Sequence, residues 1–384
     1  MNRGLSHYLD ALRVGAALAV LASHLAYPRF TDGVYLFIRE LNLGSDAVVL
    51  FFVLSGLVIA HTAEAKDRTA GRFLFNRATR IYSVAIPALL LTIGFDRLGA
   101  ALYPDDYDGW WYNAAPIGET LAYGLSFANE WTGQAFRIGT NGPWWSLSYE
   151  VAYYLIFAAW SYAAGVRRAV LVAALCLIVG PKVLLLAPAW LLGVATWRAI
   201  AAGRPAALSP IAAWTMALLP VAIYAFAQTI HLPALLLHLT GAALGLHDAP
   251  PFALLNFSDE FVWNGLLGLL AAAHIVGVAA LAARRPAADA APGVAARAIR
   301  WGSGASFSLY LIHYPVLQFF GAAVPADLPM ALRHLALLAA TVAVCLAAAA
   351  LFERPLPRWR ALVLALAARL SRSRPAPADE PAHT

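Results

Sequence analysis

The chain has 384 residues, of which 61% are hydrophobic and 12% charged, with a formal net charge of +6. Soluble domains run nearer about 45–50% apolar and about 25% charged, so this chain lacks the polar groups to cover its own surface in water. That excludes a disordered chain, a disulfide scaffold and a coiled coil, and it sets the fold class: all-α, polytopic, in a membrane.

Ten apolar runs approach the ~20 residues that cross a ~30 Å hydrocarbon core: 9–27, 46–63, 81–102, 144–163, 169–181, 183–197, 210–227, 262–282, 303–322 and 333–352. The fifth and sixth meet at Pro181-Lys182. An eleventh run, 232–246, carries His238 and is shorter, which points to a re-entrant or interfacial segment. The first run continues towards a second and reads as a signal anchor rather than a cleaved leader. Residues 1–355 are expected to form the membrane domain, and 356–384 a cytoplasmic basic helix with a disordered Pro/Ala/Ser-rich tail.

Charge orients these spans. With the N-terminus inside, 21 of the 27 basic residues fall on the inner side and six on the outer: Arg29, Arg39, Arg97, Arg137, Lys182 and Arg333. This bias matches the positive-inside rule and predicts both termini in the cytoplasm. The basic excess therefore belongs to membrane topology, and no nucleic-acid partner is expected. The dominance of arginine over lysine, 25 to 2, fits a GC-rich bacterial genome. Cys176 and Cys345 sit in apolar runs, where buried packing is the expectation. The long outer loop 103–143 carries Trp110, Trp111 and Trp131 among acidic residues. Stacking on a sugar competes there with the commoner reading, an interfacial aromatic belt.

An ionisable group inside a span is costly, so each is a functional candidate. Arg13 and His24 lie eleven residues apart in the first run, which returns them to within ~20° of one helix face, separated by about 16 Å. Snorkelling to the two headgroup layers is the bland alternative. Asp46 stands at the outer entrance of the second run, on the side His24 is expected to face, and Ser55-Gly56 offer a small-residue surface. The inner loop RFLFNRATRIY then brings Arg77 and Arg80 to one face at i, i+3. Guanidinium groups bind phosphate bidentately; the bland alternative, topology and anionic lipid, weighs more for Arg68 and Arg72 than for the Arg77/Arg80 pair. Glu150, in GTNGPWWSLSYEVAYY, lies about a turn and a half inside the fourth run and needs a partner, for which His24 is at a fitting level. The run SFSLYLIHYPV holds Tyr310 and His313, and FERP holds Glu353 and Arg354 at the inner boundary. Asp46, Ser146, Tyr310 and His313 are further candidates for lining a site.

The Arg13–His24 spacing, FFVLSG, RxxRIY, PWWSLSYE and SLYLIHYPV occur in this order over residues 5–355, and together the chain resembles membrane acyltransferase family 3. Many members carry an acidic residue two before the paired phenylalanines, where this chain reads Val49-Leu50, leaving Asp46 as the nearest carboxylate. The resemblance implies a stand-alone O-acyltransferase. Such an enzyme moves an acyl group, usually acetyl, from cytoplasmic acyl-CoA to a hydroxyl of a carbohydrate or glycolipid acceptor of the cell envelope, with no metal. It further implies Arg13, Arg77 and Arg80 at the acyl-CoA phosphates. His24 is then the general base or transient acyl carrier, and Glu150 orients it and stabilises its imidazolium. A small glycosylated metabolite is an alternative acceptor. A transporter or flippase of an envelope precursor and a non-catalytic envelope partner are the rival classes. The absence of an internal repeat weighs against the transporter.

Overall fold

The computed structural model describes residues 2–246, 254–284 and 293–372. It is 83% helical, without a strand among the described residues. The expectation for Arg285 and for the tail from 373 onward falls outside those residues.

All ten apolar runs are helices. They are α1 (Arg3–Leu25), α2 (Leu43–Ala65), α3 (Ala70–Leu102), α4 (Trp145–Tyr162), α5 (Gly165–Leu185), α6 (Ala187–Ala201), α7 (Pro210–Thr229), α9 (Phe261–Ala283), α10 (Ser306–Ala323) and α11 (Met330–Ala348). The eleventh run forms α8 (Leu232–Ala243), 12 residues long and too short to cross a membrane. A final helix, α12, covers Leu356–Arg372. Among the described residues, seven helices are long and apolar enough to span: α1, α2, α3, α5, α7, α9 and α11 with its continuation to Glu353. The remaining three, α4, α6 and α10, are shorter or more polar and sit inside the bundle. In α10 the whole stretch from Ser308 to Gln318 is buried.

Two boundaries differ from expectation. The helix break falls at Gly180, whose φ of 80° only glycine adopts readily, so Pro181 starts a last turn and α5 ends at Leu185. The basic inner loop before residue 81 is helical: Thr69 caps α3 by accepting from the Arg72 N–H. The 33 residues of α3 reach about 50 Å, beyond a ~30 Å core, and carry Arg77 and Arg80 on the protruding end.

Lys182, expected as an outer topology charge, is instead 8% exposed at its side chain and bound to Glu130 at 2.6 Å. Asn256 donates to the same Glu130 oxygen at 2.8 Å, and the Lys182 ammonium also donates to the Gln134 carbonyl. This pair clamps the outer loop onto α5. Glu130→Ala leaves an uncompensated buried ammonium, so we expect about 3–5 kcal/mol of lost stability, read as a lower Tm in detergent.

Candidate active site

Among the described residues, two of the bundle's cavities lie one above the other and are named inner and outer after the expected topology. The inner, about 350 Å3, is lined by Arg13, Ser55, Arg77, Arg80, Ser146 and Glu150 among others. The outer, about 310 Å3, is lined by His24, Tyr27, Arg39, Arg137, Asp259 and Glu260 among others. Val48 and Tyr310 line both, so they form the septum.

The septum is built by the turn before α4. Asn141 donates to the Leu311 carbonyl at 2.9 Å and to Thr92 Oγ at 3.0 Å, which pins the GTNGP turn to α10 and α3. The Pro143 carbonyl then accepts from Ser146 Oγ and Tyr310 OH, both at 3.2 Å, and the two hydroxyls meet at 2.7 Å. The Phe51 ring stands edge-on to Tyr310 at 5.6 Å. Ser146 and Tyr310 both line the inner cavity.

In the inner cavity each arginine is aimed by a carboxylate. Asp67, almost fully buried, accepts from Asn76 at 2.6 Å and from Arg77 at 3.3 Å. Glu353 accepts from the N–H and hydroxyl of Ser308, both at 2.8 Å, and pairs with Arg80 at 3.3 Å. Asp10 lies 3.8 Å from Arg13. The three guanidiniums face one cavity.

His24 is held differently from expectation. Its Nδ1 lies 2.7 Å from Nε2 of His313, which is wholly buried, and His313 Nδ1 lies 2.8 Å from the Leu309 carbonyl. A carbonyl only accepts, so the proton of neutral His313 is on Nδ1 and its Nε2 is an acceptor. His24 therefore donates from Nδ1, and its Nε2 keeps a free lone pair towards the outer cavity. Glu150 is not part of this chain. Its carboxylate accepts from Ser55 Oγ at 2.7 Å and from Tyr154 OH. The reason is depth: Glu150 lies five residues, about 7.5 Å, below the outer start of α4, whereas His24 is one residue from the outer end of α1. The expected Glu150–His24 pairing is corrected to His24–His313.

Asp46 also departs from expectation. It accepts from Trp263 Nε1 at 2.7 Å and from Tyr224 and Gln228 at 2.8 Å, tying α2 to α7 and α9. Val48, two residues on, faces the cavities, and two residues turn a helix by about 200°, which puts Asp46 on the far side.

The outer cavity contains residues that the apolar runs did not mark. Arg39 stacks on the Tyr27 ring at 3.6 Å and Arg137 lies over Trp110 at 5.3 Å. Trp145 and Phe257 stack at 4.6 Å, and Asn42 donates to Glu260 at 2.6 Å. Of the three loop tryptophans, Trp110 lines this cavity, Trp111 packs under Arg29, and Trp131 donates to the Ser148 carbonyl as a structural tie. Burial pushes Asp259 up to about 6 and Glu260 up to about 7. For an acid whose folded value is raised, stability present at low pH is lost as pH rises, here from about 4.5 through about 7. The Tm is expected to fall between pH 5 and pH 8, and Glu260→Gln makes that fall smaller.

A multi-pass all-α bundle with a basic inner cavity, a histidine-lined outer one and a hydroxyl septum between them defines a membrane protein built for chemistry between two faces. The acyltransferase-domain family pattern matches residues 6–350, and the chain belongs to this family, acyltransferase family 3. Among similar proteins are the acyltransferase MdmB of Streptomyces mycarofaciens, 32% identical over 40% of this chain and 38% of its own length, and the O-acetyl transferase of Shigella phage Sf6, 30% identical over 39% and 44%. Protein 2 in the picA locus of Rhizobium radiobacter is 31% identical over 44% of this chain and 90% of its own length. The matches thus span less than half of the first two relatives. No solved structure matches the chain.

Proposed function

We propose that this protein is an O-acyltransferase of the bacterial inner membrane that takes an acyl group, acetyl by preference, from acyl-CoA at the inner cavity and places it on a hydroxyl of a carbohydrate or glycolipid acceptor in the outer cavity. The observation that carries this reading is the meeting of the two cavities at Tyr310. On one side are three guanidiniums suited to phosphates, and on the other a histidine with a free Nε2.

In this reading Arg13, Arg77 and Arg80 hold the CoA phosphates. The pantetheine arm runs up the Arg13–His24 stripe, and the thioester reaches the septum. His24 Nε2 removes the acceptor hydroxyl proton as its oxygen bonds to the thioester carbonyl. The C–S bond of the tetrahedral adduct then breaks, and the imidazolium returns the proton to the departing thiolate. His313 keeps His24 in the productive tautomer, a positioning role. Tyr310 and Ser146, whose hydroxyls meet at the Pro143 carbonyl, would supply a donor to a developing oxyanion when one of them turns from that carbonyl. Glu150, held by Ser55 and Tyr154, shapes the inner cavity instead of orienting the base. The aromatic and polar lining of the outer cavity suits a sugar face and its hydroxyls.

Membrane vesicles supplied with radiolabelled acetyl-CoA and a glycan acceptor test the reading: label moves to the glycan as an ester. Uptake of glycolipid into proteoliposomes without acetyl-CoA, and no ester, would sink it in favour of a transporter. Arg77→Ala with Arg80→Ala is expected to raise the KM for acetyl-CoA at least tenfold with a smaller change in kcat, because each lost charge-assisted hydrogen bond is worth about 1.5–3 kcal/mol. An unchanged KM would leave both arginines to lipid headgroups.

A further inference from the structure

The helix α12 lies beyond residue 350, where the family pattern ends, yet it packs against α3 beside Arg77 and Arg80. Arg360 projects from it onto α3, where its Nε donates to Thr79 Oγ and its Nη2 to the Asn76 carbonyl, both at 3.0 Å. These acceptors belong to the same turns that carry Arg77 and Arg80. We propose that α12 is part of the donor site, closing the mouth of the inner cavity and supplying Arg360 as a fourth guanidinium for the phosphates of the nucleotide end of acyl-CoA. This rests on the acyl-CoA reading and adds to it a residue and an element outside the family region.

Three observations converge. Arg13, Arg77 and Arg80 each have a carboxylate within 4 Å, whereas the hydrogen bonds of Arg360 go to a hydroxyl and a carbonyl. Burial, and then the neighbouring cations Arg77 and Arg80, push the Arg360 guanidinium below its ordinary range, and Asp67 opposes this. Like charges drawn together at this density cost free energy unless an anion joins them. Arg77 Nε, moreover, is buried with no hydrogen-bond partner, a donor left open beside the same cluster. The remainder of α12 explains how the helix stays in place. Trp359, Leu362, Val363, Leu364 and Leu366 are exposed, the pattern of a helix lying in a membrane interface, while Arg360 points back at the bundle. A phosphate-bearing ligand and an anionic lipid headgroup share this chemistry, and the position beside a cavity-lining pair favours the ligand.

The test uses the full chain in nanodiscs of neutral phosphatidylcholine, with acetyl-CoA as donor and adenosine 3′,5′-bisphosphate as a competitor that carries phosphates but no thioester. Arg360→Ala is expected to raise both the KM for acetyl-CoA and the inhibition constant of the bisphosphate about tenfold, one charge-assisted hydrogen bond, with kcat within about twofold. Arg360→Lys recovers part of the loss, and Arg358→Ala, an exposed neighbour, changes neither constant. Unchanged constants in Arg360→Ala overturn the proposal. So does an effect that appears only when anionic lipid is added, which would make Arg360 a headgroup ligand. A wild-type protein that neither uses acetyl-CoA nor binds the bisphosphate overturns the donor reading itself, an outcome visible before any variant is made.

Discussion

His24→Ala is expected to be folded and inactive, losing about 10²–10⁴-fold in acyl transfer, the size of a general-base contribution. The expectation follows from the hydrogen-bond chain Leu309 C=O, His313, His24. That chain directs the His24 lone pair into the outer cavity, and His24 is partly exposed there and anchored by nothing on its Nε2 side among the described residues. The ring also packs edge-on to Tyr314 at 4.7 Å, so its removal costs some contact but unsatisfies only the buried Nε2 of His313. Tm should therefore fall far less than activity. His313→Gln provides the sharper check. The glutamine amide can still donate to Leu309 and accept from His24, so it should keep more activity than His313→Ala. Its pH–rate profile should shift, which a purely structural histidine would not cause. Wild-type rates in His24→Ala would remove the base assignment and favour the non-catalytic reading.

The parts of this site that were legible in the sequence are those governed by one helix at a time. The eleven-residue spacing correctly put Arg13 and His24 on one stripe, and i, i+3 correctly put Arg77 and Arg80 on one face, because helical geometry alone decides both. Depth was legible for Glu150 by itself only: it is half-buried five residues below the outer start of α4, a level that differs from that of His24. Azimuth between helices was not. Whether His24 meets Glu150 or His313 depends on how α1, α4 and α10 are rotated and offset in the bundle, and the two histidines are 289 positions apart. Asp46 failed for the same reason, since nothing in its local run says which side of α2 faces the cavity. Arg39, Arg137, Asp259 and Glu260 escaped because they sit in polar segments, where a charge is unremarked against its neighbours. Lys182 showed the converse. A charge assigned to topology by position alone proved to be a buried ion-pair partner once the outer loop folded back over it.

Gly56→Leu is expected to fail at the level of the fold, and so separates packing from chemistry. A Cβ at Gly56 would stand 2.0 Å from the Trp190 carbonyl oxygen, and one at Gly193 would stand 2.0 Å from the Val53 carbonyl oxygen. The two glycines face each other across α2 and α6, so the backbones themselves are in contact, with no side chain between them that could turn aside. This is the small-residue logic of membrane helix pairs, where association relies on close packing because lipid is as apolar as the interface. The contact matters to the site because α2 carries both Ser55, which holds Glu150, and Val48 of the septum. Trp190 on α6 also donates to Ser55 Oγ at 3.2 Å, so separating the helices would loosen the inner cavity's polar lining directly. Overpacking a well-filled core typically costs about 1–3 kcal/mol where neighbours can move. Here the obstacle is backbone on both sides, so the cost should exceed that range. The measurement is detergent-solubilised yield and Tm alongside transfer activity. Gly56→Leu and Gly193→Leu should lose all three together, and Gly56→Ala should be intermediate, whereas His24→Ala loses activity alone. A Gly56→Leu protein with wild-type Tm would mean that α2 and α6 are not in contact as described.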